Sequence, residues 1–218
     1  YHYAPRHHVL EQRSRWLQGA GPGAAGFHVG LASITWREAW KYGERAFRYC
    51  QHDVGHALAA LRFAAAALGW RVQLLPEWDD AQIGRLLGLD RAEDFTDAER
   101  ETPELLVQVV VNQAATAPRS PAADMASEWF GRANRLSQAH VEWPVIEEAI
   151  AVSERLTGSA KPSGCKDWVA WPPPSPPACG HSASQLIRQR RSAVDFDGVT
   201  HISRETLLTI LDTTLPRA

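Results

Sequence analysis

The chain has 218 residues, 44% of them hydrophobic, a formal net charge of -2 at pH 7 and a pI near 6.5. This length allows one large domain or two small ones, and the apolar content is sufficient for a core. The near-neutral charge does not indicate binding to nucleic acid or to an anionic membrane. The three cysteines form no CxxC pair, so neither a disulfide framework nor a thiolate zinc site is indicated. The sequence has no apolar run of membrane-spanning length and no signal-peptide pattern, which is consistent with a cytoplasmic location.

The first residues predict a short strand and a short helix, followed by a turn. Tyr1–Pro5 resembles the end of a strand closed by proline, and His8–Trp16 is predicted to form a helix over it. The glycine-rich segment 19–26 lacks the Lys-Ser/Thr ending and the helix that follow a phosphate-binding loop. We therefore expect a simple turn there.

A strand and a long helix come next. Phe27–Ile34 (FHVGLASI) predicts a buried strand. From Gln51 to Leu68 the bulky apolar residues recur at helical spacing and alanine fills most other positions, which predicts a helix that is buried nearly all round. Gly69 is expected to end this helix in a left-handed conformation.

Between that strand and that helix, planar rings alternate with cations. These residues are Trp36, Arg37, Trp40, Lys41, Tyr42, Arg45, Phe47, Arg48 and Tyr49. Rings offer stacking faces and the cations attract negative charge, so the cluster is suited to an anionic, aromatic ligand.

Further strands and helices alternate beyond Trp70. Arg71–Leu75 predicts a strand, and Asp80–Leu87 predicts a helix capped by one of the two aspartates at its start. We expect Glu93–Glu104 to be a solvated acidic loop, and Leu105–Val111 to be a strand buried on both faces. This alternation favours a layered, mixed fold with a central sheet.

The composition then shifts twice towards loop residues. Asn112–Asp124 predicts a loop, and Ser127–Asn134 and Glu142–Leu156 predict helices, the second of which starts near Pro144. A second break, Thr157–Ser184, contains a proline-rich run typical of an extended spacer.

The last part of the chain predicts two short helices. Ala183–Arg191 begins the first, Asp195–Gly198 predicts a turn, and Ser203 is expected to cap the second helix, which runs through Leu211. Residues 184–218 are too few to bury a core of their own.

One long motif connects the chain to a known family. The segments KYGERAFRY (41–49), GH (55–56) and AALGW (66–70) closely resemble the azoline-oxidising peptide dehydrogenases, of the SagB/ThcOx type, in the flavin-dependent nitroreductase superfamily. IRQRRS (187–192) is similar to the opening of the second half in members that carry two nitroreductase-like halves in tandem. The resemblance spans nearly the whole chain.

This resemblance implies a fold and a domain organisation. The fold is α+β, an incomplete FMN-dependent nitroreductase-like fold with the start of a second copy. Residues 1–112 would be the C-terminal part of a first nitroreductase-like domain, 113–183 a linker region with helices and a proline-rich spacer, and 184–218 the start of a second domain. The chain would then be an internal fragment that binds flavin poorly alone.

The resemblance also implies the cofactor and the catalytic pair. The cofactor would be FMN and the reaction the removal of two hydrogens from a substrate, such as an azoline ring in a peptide. Lys41 and Tyr42 match the family's Lys-Tyr pair near the flavin, where a general base must accept a carbon-bound proton. The family also implies a homodimer, or an intramolecular pseudo-dimer of tandem halves.

A second set of residues is implied as cofactor contacts. In the family an Arg-Arg-Ser motif grips the flavin phosphate and ribityl chain, a role suited to the paired donors of arginine. The matching residues here are Arg190, Arg191 and Ser192. Arg45 and Arg48 would contact flavin or substrate in the first half, or would instead bridge to Glu44 or Asp53.

Two other functions compete with this interpretation. HDVGH (52–56) places a His-Asp pair one helical turn before a second histidine, as in metal-dependent phosphohydrolases. Its remaining ligands have no evident candidates, and we expect no bound metal. The other alternative is a non-catalytic, degenerate nitroreductase module.

Overall fold

A computed structural model gives the architecture. It describes residues 1–16, 26–111, 127–139, 141–156, 172 and 180–215. The described elements are a mixture of helices and strands, as the α+β class requires. The chain divides into two compact units, residues 1–159 and 160–218.

A three-stranded antiparallel sheet forms the centre of the first unit. Its strands are β4 (Gly26–Ser33), β5 (Arg71–Leu74) and β6 (Thr102–Val110), in the order β4-β6-β5. Val29 of β4 lies opposite Val107 of β6. Because both outer strands are antiparallel to β6, they run parallel to each other, and the chain between them crosses over through helices.

The middle strand carries the most buried side chains. All six residues from Leu105 to Val110 are buried, with Val107 fully inaccessible, whereas Val111 is 38% exposed. A β-branched run covered on both faces is typical of a central strand. The strands predicted at Phe27–Ile34, Arg71–Leu75 and Leu105–Val111 are confirmed. The first was also predicted to be buried, which is wrong: no residue of β4 is buried and Phe27 is 44% exposed, because β4 is an outer strand of the sheet.

The helix predicted at Asp80–Leu87 is confirmed and packs directly on the sheet. The helix α3 (Asp80–Leu87) begins with a capping box between Asp79 and Gln82 and ends at Gly88, whose φ is 75°. Its inner face joins a core cluster with the middle strand. The buried members of that cluster are Leu75, Trp78, Ile83 and Leu106.

Two consecutive helices follow β4. They are α1 (Thr35–Tyr42) and α2 (Ala46–Ala67), joined by a single 3-10 turn, Gly43–Arg45. A fourth helix, α4 (Pro144–Ser153), packs against them and starts near Pro144 as predicted. The buried residues at this junction are Ala39, Ala46 and Ile146.

The prediction that the long helix is buried nearly all round is wrong. Most side chains of α2 are exposed, including Phe63 at 69%, and Leu68 just beyond the helix is 61% exposed. The buried residues of the helix are Ala46, Cys50 and Ala65. Alanine fits a core and a surface equally well, so the spacing of apolar residues predicted the helix but not its surroundings. Gly69, with a φ of 74°, follows the end of the helix as predicted.

The prediction of a helix over His8–Trp16 is also wrong. The strand β1 (His2–Ala4) pairs antiparallel with β2 (Val9–Glu11), and β3 (Ser14–Trp16) follows. The structure of β2 is decided by its pairing with β1, which the spacing of residues within 8–16 does not reveal.

The predicted helix over Ser127–Asn134 is replaced by a strand. The strand β7 (Ser127–Trp129) pairs antiparallel with β3, so that Arg15 lies opposite Glu128. The backbone N–H of Phe130 donates to the carbonyl of Arg13 and extends this pairing. A partner so distant in sequence overrides local helix propensity.

The acidic segment Glu93–Glu104 is less solvated than predicted. It overlaps a 3-10 helix, Ala92–Phe95, and its last three residues belong to β6 and not to a loop. Asp94 is 8% exposed and Glu99 is 9% exposed. Asp94 accepts a hydrogen bond of 3.0 Å from Arg91. Buried carboxylates need such partners, so part of this segment is structural.

The second unit contains two short helices without a core. They are α5 (Ala183–Gln189) and α6 (Arg204–Thr213), capped by Ser182 and Ser203. The predicted cap at Ser203 and a turn at Gly198, with a φ of 72°, are confirmed. No side chain from 180 to 215 is buried.

Some predictions fall outside the described residues. They are the glycine-rich turn before Gly26, the loop at 112–124 and most of the break at 157–184. The domain boundaries at 112/113 and 183/184 stay predictions, although β7 and α4 of the predicted linker region pack within the first unit. Within the described ranges, no helix combines the length and apolar character needed to cross a membrane.

Candidate functional site

The two predicted catalytic residues lie in contact at the end of α1. The ammonium of Lys41, an exposed side chain, is 5.0 Å from the ring centroid of Tyr42. The Tyr42 ring is half-buried and packs on Tyr49 of α2, with centroids 4.4 Å apart and planes tilted by 36°. We call these three residues the Lys-Tyr-Tyr cluster.

A glycine turn brings the members of this cluster together. The helix α1 stops at Tyr42 because Gly43 adopts a φ of 57°, which other residues rarely adopt. A Cβ at Gly43 would lie 3.2 Å from the ring of Trp143, so the turn is also closely covered. The chain then re-enters a helix, and Tyr49 faces back towards Tyr42.

Buried residues anchor both helices. Thr35 and Ala39 of α1 and Cys50 of α2 are buried, and burial raises the pKa of the Cys50 thiol, an effect that the Thr35 hydrogen bond partly offsets. Gln51 donates a hydrogen bond of 2.9 Å to Glu104 of β6. The exposed faces therefore present the Lys-Tyr-Tyr cluster from a fixed support.

The two arginines predicted as contacts in the first half are exposed. Arg48 donates a hydrogen bond of 3.3 Å to His52 and does not bridge to Asp53. Within the described part of the chain, Arg45 forms no ion pair, with Glu44 or with any other residue. The alternative in which these arginines bridge to neighbouring carboxylates is not observed.

The HDVGH segment lies on the exposed side of α2. His56 is 4.0 Å from Asp53, and both side chains are largely exposed, while His52 accepts the hydrogen bond from Arg48. In the ranges that the structure describes, no group of three or more His, Cys, Asp or Glu side chains is arranged to hold a metal ion.

The Arg-Arg-Ser residues belong to the second unit, directly after α5. Arg190 donates a hydrogen bond of 3.2 Å to Ser192. Arg191 donates to the carbonyls of Arg188 and Arg190, each at 2.9 Å. All of these side chains are exposed. The bonds from Arg191 satisfy backbone carbonyls at the end of the helix, so part of its guanidinium is already used.

A polar cleft of about 420 Å³ lies elsewhere in the first unit. It opens at the start of α1, beside Trp36, Arg100 and Arg135, and neither Lys41 nor Tyr42 lines it. Its walls combine cations with carboxylates and hydroxyls, so no single ligand chemistry is favoured. The Lys-Tyr-Tyr cluster is thus a surface site and not a pocket.

Sequence reasoning did not single out two residues that the structure emphasises. His28 of β4 lies opposite Gln108, with its Nε2 buried and, among the described residues, without a hydrogen-bond partner. Burial lowers its pKa below 6.5. The sequence showed Tyr49 as one of several aromatic residues. Its spacing of seven residues from Tyr42 was the available signal that the two rings lie close together.

Comparisons with known proteins give no relative. No protein-family model matches the chain, and no curated protein or solved structure does. A functional assignment therefore depends on the residues themselves and on the motif that they form.

Proposed function

We propose that this chain functions in an FMN-dependent oxidation as a member of the nitroreductase superfamily, with Lys41 and Tyr42 as its acid–base pair. The supporting observation is the contact between these two side chains on an accessible surface. The resemblance of residues 41–49 to the azoline-oxidising dehydrogenases supplies the reaction class. A peptide azoline is the substrate class that this resemblance favours.

The donor chemistry of the chain fits a phosphate-bearing flavin. Arg45 has an exposed guanidinium with no ion pair among the described residues, and Arg48 is exposed nearby in sequence. Guanidinium groups and hydroxyls are the donors that bind phosphate oxygens well. The residues proposed to contact FMN are Arg45 and Arg48 in the first half and, as a separate set, Arg190, Arg191 and Ser192 in the second. When bound, FMN supplies the two-electron redox chemistry.

The chain's own residues would handle the proton. Oxidation of an azoline ring requires loss of a carbon-bound proton, which the Lys41 amine or the Tyr42 oxygen can accept when deprotonated. Lys41 and Tyr42 are neighbours on α1, so one substrate can contact both side chains. The packing of the Tyr42 ring on Tyr49 restricts the motion of the pair. The proposal includes a homodimer, or a pseudo-dimer of tandem halves, in the cytoplasm.

A visible absorption spectrum tests this proposal first. The purified chain is mixed with FMN, passed through gel filtration and denatured to identify any released chromophore. Bound FMN in the chain, or in the protein made from its complete natural reading frame, supports the proposal. If both stay colourless, the proposal is wrong.

Matched variants then separate binding from chemistry. Arg45→Ala combined with Arg48→Ala should reduce the flavin content, because two phosphate donors are lost. Lys41→Met and Tyr42→Phe should keep the flavin and lower kcat by about 10²- to 10⁴-fold, the contribution typical of a general acid or base. Unchanged kcat in both variants would overturn the assignment of the pair.

A further inference from the structure

Tyr42 occupies a position whose backbone gives its ring little support. It is the last residue of α1, and the next residue turns the chain out of the helix with a φ of 57°. Its side chain is only half-buried. A ring at a helix end needs a packing partner to hold one orientation.

Tyr49 is that partner. The two ring centroids are 4.4 Å apart, at the close end of the distances found for packed aromatic pairs. Tyr49 lies within α2 between two buried residues that anchor the helix, Ala46 and Cys50. The ring of Tyr42 thereby takes its orientation from a helix that is fixed to the core.

Lys41 depends on the same arrangement. Its ammonium lies 5.0 Å from the Tyr42 centroid, within the range of a cation–π contact. A change in the Tyr42 ring would therefore move or release the Lys41 side chain. The three residues are joined by two contacts, Lys41 with Tyr42 and Tyr42 with Tyr49, and Tyr49 is the member that lies on the long helix α2.

We propose that Tyr49 is a positioning residue that holds Tyr42, and through it Lys41, in the orientation needed for proton transfer. This role rests on the proposed function of the Lys-Tyr pair. Tyr49 itself need not touch the substrate, because its effect passes through the Tyr42 ring.

NMR of the 218-residue chain, with labelled lysines, tests the geometry without any cofactor. The ε-methylene protons of Lys41 should be shifted upfield by the Tyr42 ring. Tyr49→Leu should reduce this shift, whereas Tyr49→Phe should keep it because the ring remains. Tyr3→Leu is the matched control, since Tyr3 is an exposed tyrosine in a different ring contact, with His8. An unchanged Lys41 shift in Tyr49→Leu would overturn the proposal.

Kinetics of the flavin-loaded protein test the role. Repeated oxidation of a thiazoline peptide to a thiazole, with dissolved oxygen reoxidising the reduced flavin after each turnover, is followed as the formation of the thiazole product. Tyr49→Leu should lower kcat by roughly 10- to 100-fold with flavin content and KM little changed, the effect of a misplaced reacting group. Tyr49→Phe should restore most of the activity.

The outcomes for Tyr49 and for the function are distinct. If the wild-type protein binds FMN and oxidises the thiazoline but Tyr49→Leu keeps its kcat, the positioning role is wrong and the proposed function stands. If the wild-type protein neither binds FMN nor oxidises the thiazoline, the proposed function fails, and the positioning role fails with it.

Discussion

His28 illustrates how a single buried group can couple stability to pH. Its Nε2 is buried, with no hydrogen-bond partner among the described residues, and the side chain opposite it on β6 is the neutral amide of Gln108. Burial removes part of the hydration that a protonated imidazole needs, and this desolvation lowers the pKa of His28.

We therefore expect the free energy of unfolding to fall when the pH drops below about 6.5. Since the folded-state pKa of His28 is lower than its ordinary value of 6.5, the unfolded chain binds the proton more readily in this window. The stabilisation is fully present above pH 6.5 and declines as the pH falls. Urea denaturation at pH 7.5 and at pH 5.5 measures the difference.

His28→Gln is the matched variant, because glutamine already occupies the position opposite His28 on β6, Gln108, and the position opposite Gln108 on β5, Gln73. The variant should lose less stability than the wild-type chain between the two pH values. An equal loss in both chains would show that other groups carry the pH dependence.

At the scale of elements, the predictions that were confirmed depended on local signals. The limits of α3 were predicted correctly because Asp79 supplies the cap and Gly88 supplies the left-handed end within the same short segment. The strands β2, β3 and β7 were missed because pairing between segments, and not their composition, decides their structure. Alanine gave no information on which faces of α2 are covered.

The cap of α3 gives a prediction of its own. Asp79 is 4% exposed, and it accepts a hydrogen bond of 2.6 Å from the backbone of Gln82. Asp79→Ala should lower the free energy of unfolding of the first unit by about 0.5–2 kcal/mol, the usual effect of losing such a cap. Chemical denaturation followed by tryptophan fluorescence is suitable, because Trp78 lies in the adjoining core cluster.

Ser203→Ala provides the control for this prediction. Ser203 caps α6 by accepting a hydrogen bond of 3.0 Å from the backbone N–H of Thr206, the same kind of contact, but α6 has no buried side chain. Ser203→Ala should therefore leave the free energy of unfolding of the first unit unchanged. Equal destabilisation by both variants would contradict the argument that packing of α3 transmits the effect.

For the whole molecule, the sequence predicted elements and motifs better than it predicted their surroundings. Lys41 and Tyr42 are adjacent in sequence, so their shared location required no folding argument. The contact with Tyr49 required the turn at Gly43 and the cover from Trp143, neither of which follows from residue spacing. The Arg-Arg-Ser motif belongs to a different unit, whose two helices bury nothing among the described residues.

This contrast between the units predicts very different hydrogen exchange. The strand β6 is hydrogen-bonded on both sides and buried from Leu105 to Val110, so its amides should exchange only through extensive unfolding of the first unit. The helices α5 and α6 are 7 and 10 residues long, shorter than helices that are stable alone, and lack a buried face. Their amides should exchange faster than those of β6 by orders of magnitude.

Hydrogen exchange measured by mass spectrometry on peptides covering residues 102–110 and 204–213 tests this expectation. A peptide covering α3 serves as the internal reference, because α3 is a helix with a buried face. The measurement is best made at two protein concentrations. Slow exchange in α6 at both would contradict the prediction, because it requires a protected backbone. If the protection of α6 increases with protein concentration, another copy of the chain covers the exposed apolar side chains of α6, because association adds stability by mass action.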